Sequence, residues 1–502
     1  MDMRRTVVVV LVALVTLMAA AWPASGQPER ARAGQDAQVD FNGDTFADLA
    51  VGAPGEGVGG AAGAGAVNVL YGSADGLTAS SEVFTQGSGG VEGAAEQDDS
   101  FGAAVAKGNF NGDEFFDVAV GAPGERVGSI GFAGAVNVLY GSEDGLGGGP
   151  LFVQSNSESS DGFGGSLATA DFNGDGFFDL AVGASGENVG TLVDAGAVTV
   201  LFGSAGGITT AGSQTFWQGN GAAGAAETGD NFGLSVATGI LANDDLGDLV
   251  VGVPGEDVGS VQDAGAVNVL SGSAGGLVNG SLATQGNPEG GDAFGFAVTT
   301  GDFDEPAGDD VVAGAPGETV NGRPGAGAVS VFNGPPNGLA SERLLFQGSS
   351  GIPGAAETGD GFGAAVAPTD SNGIGQWDLA VGVPGEDIGP DEDAGIVNLL
   401  AGSATGPSGG IQVTQTNPED FDSFGQAIAG GFFLHDFDTN GFFDLAVGAP
   451  LEKVGTLQSA GAVTVFYASG GGVLSPGEAW TQDSPGLGGI AEAFDFFGGA
   501  LE

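Results

Sequence analysis

The residues best suited to chemistry are oxygen donors in short acidic loops. Asp40 to Asp48 reads DFNGDTFAD, Asn109 to Asp117 reads NFNGDEFFD, Asp171 to Asp179 reads DFNGDGFFD and Asp436 to Asp444 reads DFDTNGFFD. Side-chain oxygens fall at positions 1, 3, 5 and 9. They are Asp40, Asn42, Asp44 and Asp48 in the first loop and Asn109, Asn111, Asp113 and Asp117 in the second. The third has Asp171, Asn173, Asp175 and Asp179, and the fourth Asp436, Asp438, Asn440 and Asp444. Gly at position 4 or 6 permits a tight turn that folds the first three donors around one point. The carbonyl at position 7, on Phe46, Phe115, Phe177 or Phe442, can add a backbone ligand. The Asp at position 9 can then close the shell in bidentate fashion. About six hard oxygens result, which suits Ca²⁺ better than Mg²⁺, a cation that demands a near-ideal octahedron.

A series of Asx turns, in which Asp and Asn only bond the turn backbone, would explain one such loop. It explains the recurrence poorly, because clustered unpaired carboxylates repel one another. Two further loops are degenerate. One keeps Asp302, Asp304, Asp310 and the carbonyl of Gly308 but has Pro306 at position 5. The other keeps Asp370, Asn372, Asp378 and the carbonyl of Gln376 but has Ile374 there. In the loop from Ile240 to Asp248 only Asp244 and Asp248 remain, so no site is expected. The expectation is four to six calcium ions per chain.

The elements that must hold these loops repeat with them. Each loop runs into a phrase such as DLAVGAPGE, led by Asp48, Asp117, Asp179, Asp248, Asp310, Asp378 and Asp444. Seven units of about 66 residues therefore fill nearly the whole chain. Four extended segments are legible per unit. In the second they are Phe101 to Ala106, Asp117 to Ala122, Ala133 to Gly141 and Leu151 to Gln154. The third alternates small or polar residues with larger apolar ones, the period-2 pattern of a strand. Four short strands per repeat, Gly-rich breaks and no helical pattern predict an all-β, seven-bladed β-propeller of four-stranded blades. Because common propeller repeats are ~40–50 residues, the extra length is expected in long loops on one face.

Phe-Gly pairs open the first segment of every unit except the first; the missing pair is Phe497-Gly498, near the other end. Phe497 to Glu502 is thus predicted to supply the innermost strand of the first blade and close the ring. Asp stands two residues before each of these pairs, at Asp99, Asp161, Asp230, Asp292, Asp360, Asp422 and Asp495. A capping role toward turn amides is expected for it. Glu follows each Gly-Ala-Pro segment, at Glu56, Glu125, Glu187, Glu256, Glu318, Glu386 and Glu452. These residues either stabilise a turn or form an acidic ring that takes cations or a basic partner.

Phe-Gly, then the acidic loop, then Gly-Ala-Pro resembles the FG-GAP repeat of integrin α-subunit head domains, over roughly Asp36 to Glu502. The resemblance implies a seven-bladed propeller with calcium in the loops between each blade's first two strands, on the lower face. It also implies that the upper face, built from the 2–3 and 4–1 loops, meets the partner. Two departures weigh against adhesion in the integrin sense. No metal-dependent adhesion domain is inserted between the second and third units, and no leg, membrane helix or tail is expected after the repeats.

Composition narrows the function. Nine Lys and Arg against 64 Asp and Glu give a charge of −55, which opposes nucleic-acid binding and docking on anionic lipid. With no Cys, disulfides, thiolate metal sites and Cys nucleophiles are excluded. The single histidine, His435, is expected at a strand end rather than as a catalytic base. Arg4 and Arg5, an apolar run and then small residues to Gly26 read as a secretory signal peptide over 1–26. A short linker over 27–35 and the repeats over 36–502 follow. The apolar run is short for a spanning helix, so a secreted chain without membrane insertion after cleavage is expected. The leading functional expectation is an extracellular module binding a protein or glycan. A carboxylate-dependent extracellular hydrolase and a structural envelope or matrix component are the alternatives.

Overall fold

Gly-rich turns cut the chain into short apolar strands that cannot bury both faces alone, so they stack as a ring of small sheets. A computed structural model describes residues 38–502 apart from 79–80, 243, 305–307, 335–338, 374, 431–434 and 471. The predicted signal peptide and linker lie outside the described residues. All blades belong to the unit Gln35–Glu502. Among the described residues there is no helix. Seven antiparallel sheets in sequence make the predicted seven-bladed propeller.

The second blade shows the pattern. Its strands are Ala104–Gly108, Asp117–Ala122, Ala135–Leu139 and Leu151–Phe152, hydrogen-bonded in that order. The second and third strands are buried throughout, because neighbouring blades cover both faces. The third blade adds a fifth, two-residue strand, Gly221–Ala222, beside its long outer strand Thr209–Gln218. Loops 109–116 and 140–150 emerge at one end of the strands and 123–134 and 153–165 at the other. The length beyond a common propeller repeat is thus shared by both faces rather than confined to one.

The ring closes as predicted. Ala500–Leu501 is the innermost strand of the first blade, pairing Ala500 with Gly52 and Leu501 with Val51. That is the register of Ala104 with Gly121 and Val105 with Val120 in the second blade. Glu502 extends the ladder, exchanging both backbone hydrogen bonds with Ala50 (2.7 and 3.1 Å).

The Phe-Gly pair does not itself form the innermost strand, which starts two residues later. Its place is the seam between blades. Phe101 is fully buried and donates its N–H to Ala64 of the first blade, while Gly102 donates to Gly121 of its own blade. Gly102 has φ +92°, and a Cβ there would lie 2.4 Å from the Ala66 carbonyl oxygen. Bulk at this position is excluded both by φ and by the approach of the neighbouring blade.

Candidate metal loops and the seams between blades

Each acidic loop precedes the second strand of its blade and, in every blade but the first, joins it to the first strand. Its second residue anchors it: Phe41, Phe110, Phe172, Phe303 and Phe437 are all fully buried. In the first loop Asp40 accepts the N–H groups of Asn42, Gly43 and Thr45 at 3.1, 2.5 and 2.7 Å. Asn42 accepts from Asp44 at 2.9 Å and Asp44 from Phe46 at 3.0 Å. Asp171 likewise accepts from Gly174 and Gly176, Asn173 from Asp175 and Asp175 from Phe177. Asp436, Asp438 and Asn440 do so with Asn440, Gly441 and Phe442. In the second loop Asn109 accepts from Gly112 and Asp113 from Phe115. The Asx-turn bonds are therefore present in these loops. Carboxylate oxygens of Asp436, Asp438 and Asp444 all lie within 4.8 Å of one another, a grouping that could hold a metal ion.

Position 9 does something the sequence did not reveal. Asp48 is fully buried, with one oxygen accepting from Phe41 N–H (2.8 Å) and the other from Gly72 N–H (2.9 Å). Asp117, Asp179, Asp310 and Asp444 clamp the corresponding amides. So does Asp248, in the loop without a donor set. Asp378 uses Ser371, Asn372 and Gly402. This Asp is first a backbone clamp, and any role as a ligand rests on its remaining lone pairs. Burial, reinforced by Asp40 and Asp44, pushes Asp48 up to about 8. Burial with Asp438 and Asp436 does the same for Asp444. A cation would relieve that crowding, and an all-oxygen, carboxylate-rich set fits Ca²⁺.

The degenerate loops retain parts of the frame. Asp370 accepts from Gly373 at 2.8 Å. Asp304 is bonded by Asn333, and Asp302 accepts at its carbonyl from Trp377 N–H. Pro306 and Ile374 lie outside the described residues.

Consecutive loops are chained around the ring. The carbonyl at position 1 accepts from position 8 of the next blade's loop: Asp40 from Phe116, Asn109 from Phe178, Asp171 from Gly247, Asp302 from Trp377 and Asp370 from Phe443. Where the fourth loop departs from the pattern, Ile240 N–H bonds the side chain of Asp309 instead, at 2.6 Å. Order in one loop is thereby passed to the next seam.

At the opposite end of the strands a second set recurs. The Asp before each Phe-Gly caps a turn amide as expected: Asp99 takes Glu96 N–H and Asp230 takes Glu227 N–H, both at 2.5 Å. The repeated Glu residues do not form an exposed ring. Glu125, Glu187 and Glu318 are only 7–8% exposed. Each of the seven accepts from a Gln of the preceding blade: Gln86 to Glu125, Gln154 to Glu187, Gln218 to Glu256, Gln285 to Glu318, Gln347 to Glu386, Gln415 to Glu452 and Gln482 to Glu56. Sequence reasoning missed these glutamines. Within the chain the spacing to the partner Glu drifts from 33 to 39 residues, so distance does not give the pairing; the signal that could have found the glutamines is the phrase Gln-x-Ser/Asn, which recurs in all seven units.

His435 is buried, its Nε2 2.8 Å from Lys107 Nζ. Lys107 also reaches Glu502 at 2.8 Å. Burial, then the Lys107 charge, holds the imidazole well below its ordinary range. It is a neutral packing residue joining the last, first and second blades.

The FG-GAP repeat family model matches residues 35–70, 101–139, 163–201 and 433–466, each spanning an acidic loop and the two strands after it. The chain carries FG-GAP repeats. It is 36% identical over 147 residues to phosphatidylinositol-glycan-specific phospholipase D of Rattus norvegicus, covering 29% of this chain and 17% of that protein. It is 33% identical over 177 residues to integrin alpha-4 of Xenopus laevis, covering 35% and 15%. To integrin alpha-V of Gallus gallus it is 35% identical over 163 residues, covering 31% and 14%. The chain thus spans less than a fifth of each of these relatives. No helix among the described residues is long and apolar enough to cross a membrane.

Proposed function

We propose that this FG-GAP propeller is secreted, holds calcium in its 1–2 loops and binds an extracellular protein or glycan through the face built from its 2–3 and 4–1 loops. The observation that carries the calcium reading is the convergence of Asp436, Asp438 and Asp444 in a loop whose design recurs in other blades. When bound, Ca²⁺ supplies positive charge to a buried carboxylate cluster. The chain's own residues orient the donors through Asx-turn bonds, anchor the loop through its buried Phe and pass the order on through the carbonyl-to-amide chain. Binding restricted to the folded form stabilises it by RT ln(1 + [L]/Kd) per independent site. The binding-module reading is supported by the likeness to integrin α subunits and by long loops on a rigid ring.

Metal analysis after dialysis into calcium-free buffer, followed by titration, tests the first part. Four to six ions and a higher Tm are expected; fewer than two ions, or a melting curve indifferent to chelator, overturns it. A pull-down from cell-surface extract, with calcium and with chelator, tests the second part. A partner retained only with calcium is the expected result.

A further inference from the structure

The seams on the face away from the acidic loops repeat a contact between two acids. Asp161 and Glu187, Asp292 and Glu318, and Asp422 and Glu452 stand within hydrogen-bond reach of each other. Asp99 and Glu125, Asp230 and Glu256, Asp360 and Glu386, and Asp495 and Glu56 are the corresponding neighbours in the other seams. One oxygen of each Asp takes a turn amide. The other oxygen of Asp161, Asp230, Asp422 and Asp495 is buried and receives no N–H or O–H. Two ionised carboxylates offer only lone pairs, so such a contact lacks a hydrogen.

We propose that each of the three seams in which the acids touch takes up one proton, which one carboxyl donates to the other, so that the blades there are held together by carboxylic acid–carboxylate bridges that form on acidification. A cation in the same place is disfavoured because every seam Gln directs an N–H at the Glu. The groups facing these pairs are almost all acidic: Glu96, Glu158, Glu227, Asp257, Glu289, Glu357, Asp387, Glu419 and Glu492. The cations near them are Arg126 beside Asp99, Arg323 beside Asp360 and Lys453, 3.6 Å from Glu419.

Burial first, and the acidic neighbours in addition, push Glu56, Glu125, Glu187, Glu318 and Glu386 up to about 7 and Glu452 to about 8, from an ordinary 4.5. A pKa raised on folding stabilises fully below the unfolded value and loses that effect as pH climbs through the folded one. The bridges therefore contribute most below about pH 4.5 and fade toward about pH 7–8.

The test uses the full chain in saturating calcium, which keeps the acidic loops charged at both pH values. The triple variant Glu187→Gln, Glu318→Gln, Glu452→Gln supplies an N–H where the O–H is proposed. Wild-type Tm is expected to fall between about pH 5.5 and about pH 8. The variant should match it near the lower pH and exceed it near the higher, with an unchanged number of bound ions. An equal slope in both proteins, a variant less stable at both pH values, or the loss of three ions overturns the proposal. If the variant does not fold, proton uptake by the wild type on refolding near pH 6 decides. Uptake of several protons per chain is expected, and none overturns the inference.

Discussion

Asp248 and Asp436 separate two roles that one residue type plays in the same kind of loop. Asp248 clamps Leu241 and Gly272 amides in a loop lacking donors at positions 1 and 3. Asp436 heads a full donor set. Asp248→Ala should leave the amides of Leu241, Ala242 and Gly272 without their carboxylate, costing about 1–3 kcal/mol for each buried group left unsatisfied, with no change in calcium count. Asp436→Ala should remove one ion, and its Tm should become insensitive to the last step of a calcium titration. Calorimetry and metal analysis on both proteins check this. If Asp248→Ala also loses an ion, the fourth loop binds metal and the division fails. Proton competition gives a further expectation. Since burial and neighbouring acids raise Asp48 and Asp444 to about 8, protons compete with calcium below that pH. Calcium affinity measured by titration should weaken as pH falls from 8 to 6.

At the level of the strand, the inner rim is the sensitive part. Gly121 lies on the second blade's second strand, and a Cβ there would stand 1.9 Å from the Gly164 carbonyl oxygen of the next blade. Since that oxygen belongs to backbone, the blades must separate to admit a methyl group. Overpacking of this kind costs about 1–3 kcal/mol or more, and Gly121→Ala should lower Tm accordingly. The closing strand is short, Ala500–Leu501, yet it carries the ladder to the first blade and, through Glu502, the contact to Lys107. Ending the chain after Asp495 exposes the edge of Leu49–Ala53, a free edge that invites pairing between chains. A lower Tm and association at high concentration are expected, followed by differential scanning fluorimetry and light scattering. A truncated chain that melts with the wild type would contradict the closure.

Across the whole molecule, charge is the opposing force. Even six calcium ions offset only 12 of the 55 net negative charges. Without calcium the ring should gain stability as salt is added, because screening weakens repulsion beyond about 8–10 Å at ionic strengths near 0.1–0.15 M. With calcium bound the same salt series should be flatter, as the densest carboxylate clusters are already neutralised. Chelator-treated and calcium-loaded samples melted across a salt series distinguish the two regimes; parallel lines would mean that the loops are not the source of the strain.

Residue order alone determined the number of blades, the strand segments and the closure by the C-terminal segment. Each is written in a period, and a period survives whatever the chain packs against. Tertiary structure alone decided that the ninth loop residue clamps amides, that the Phe-Gly pair docks on the preceding blade rather than forming the strand, and that the repeated Glu residues are sealed in the seams by glutamines. Those facts depend on contacts between residues in different blades, such as Gln482 and Glu56, 426 positions apart in sequence. Closure of the ring makes such pairs neighbours; a Gln followed two residues on by Ser or Asn recurs in every unit, but which Glu it meets is decided by the packing of one blade on the next.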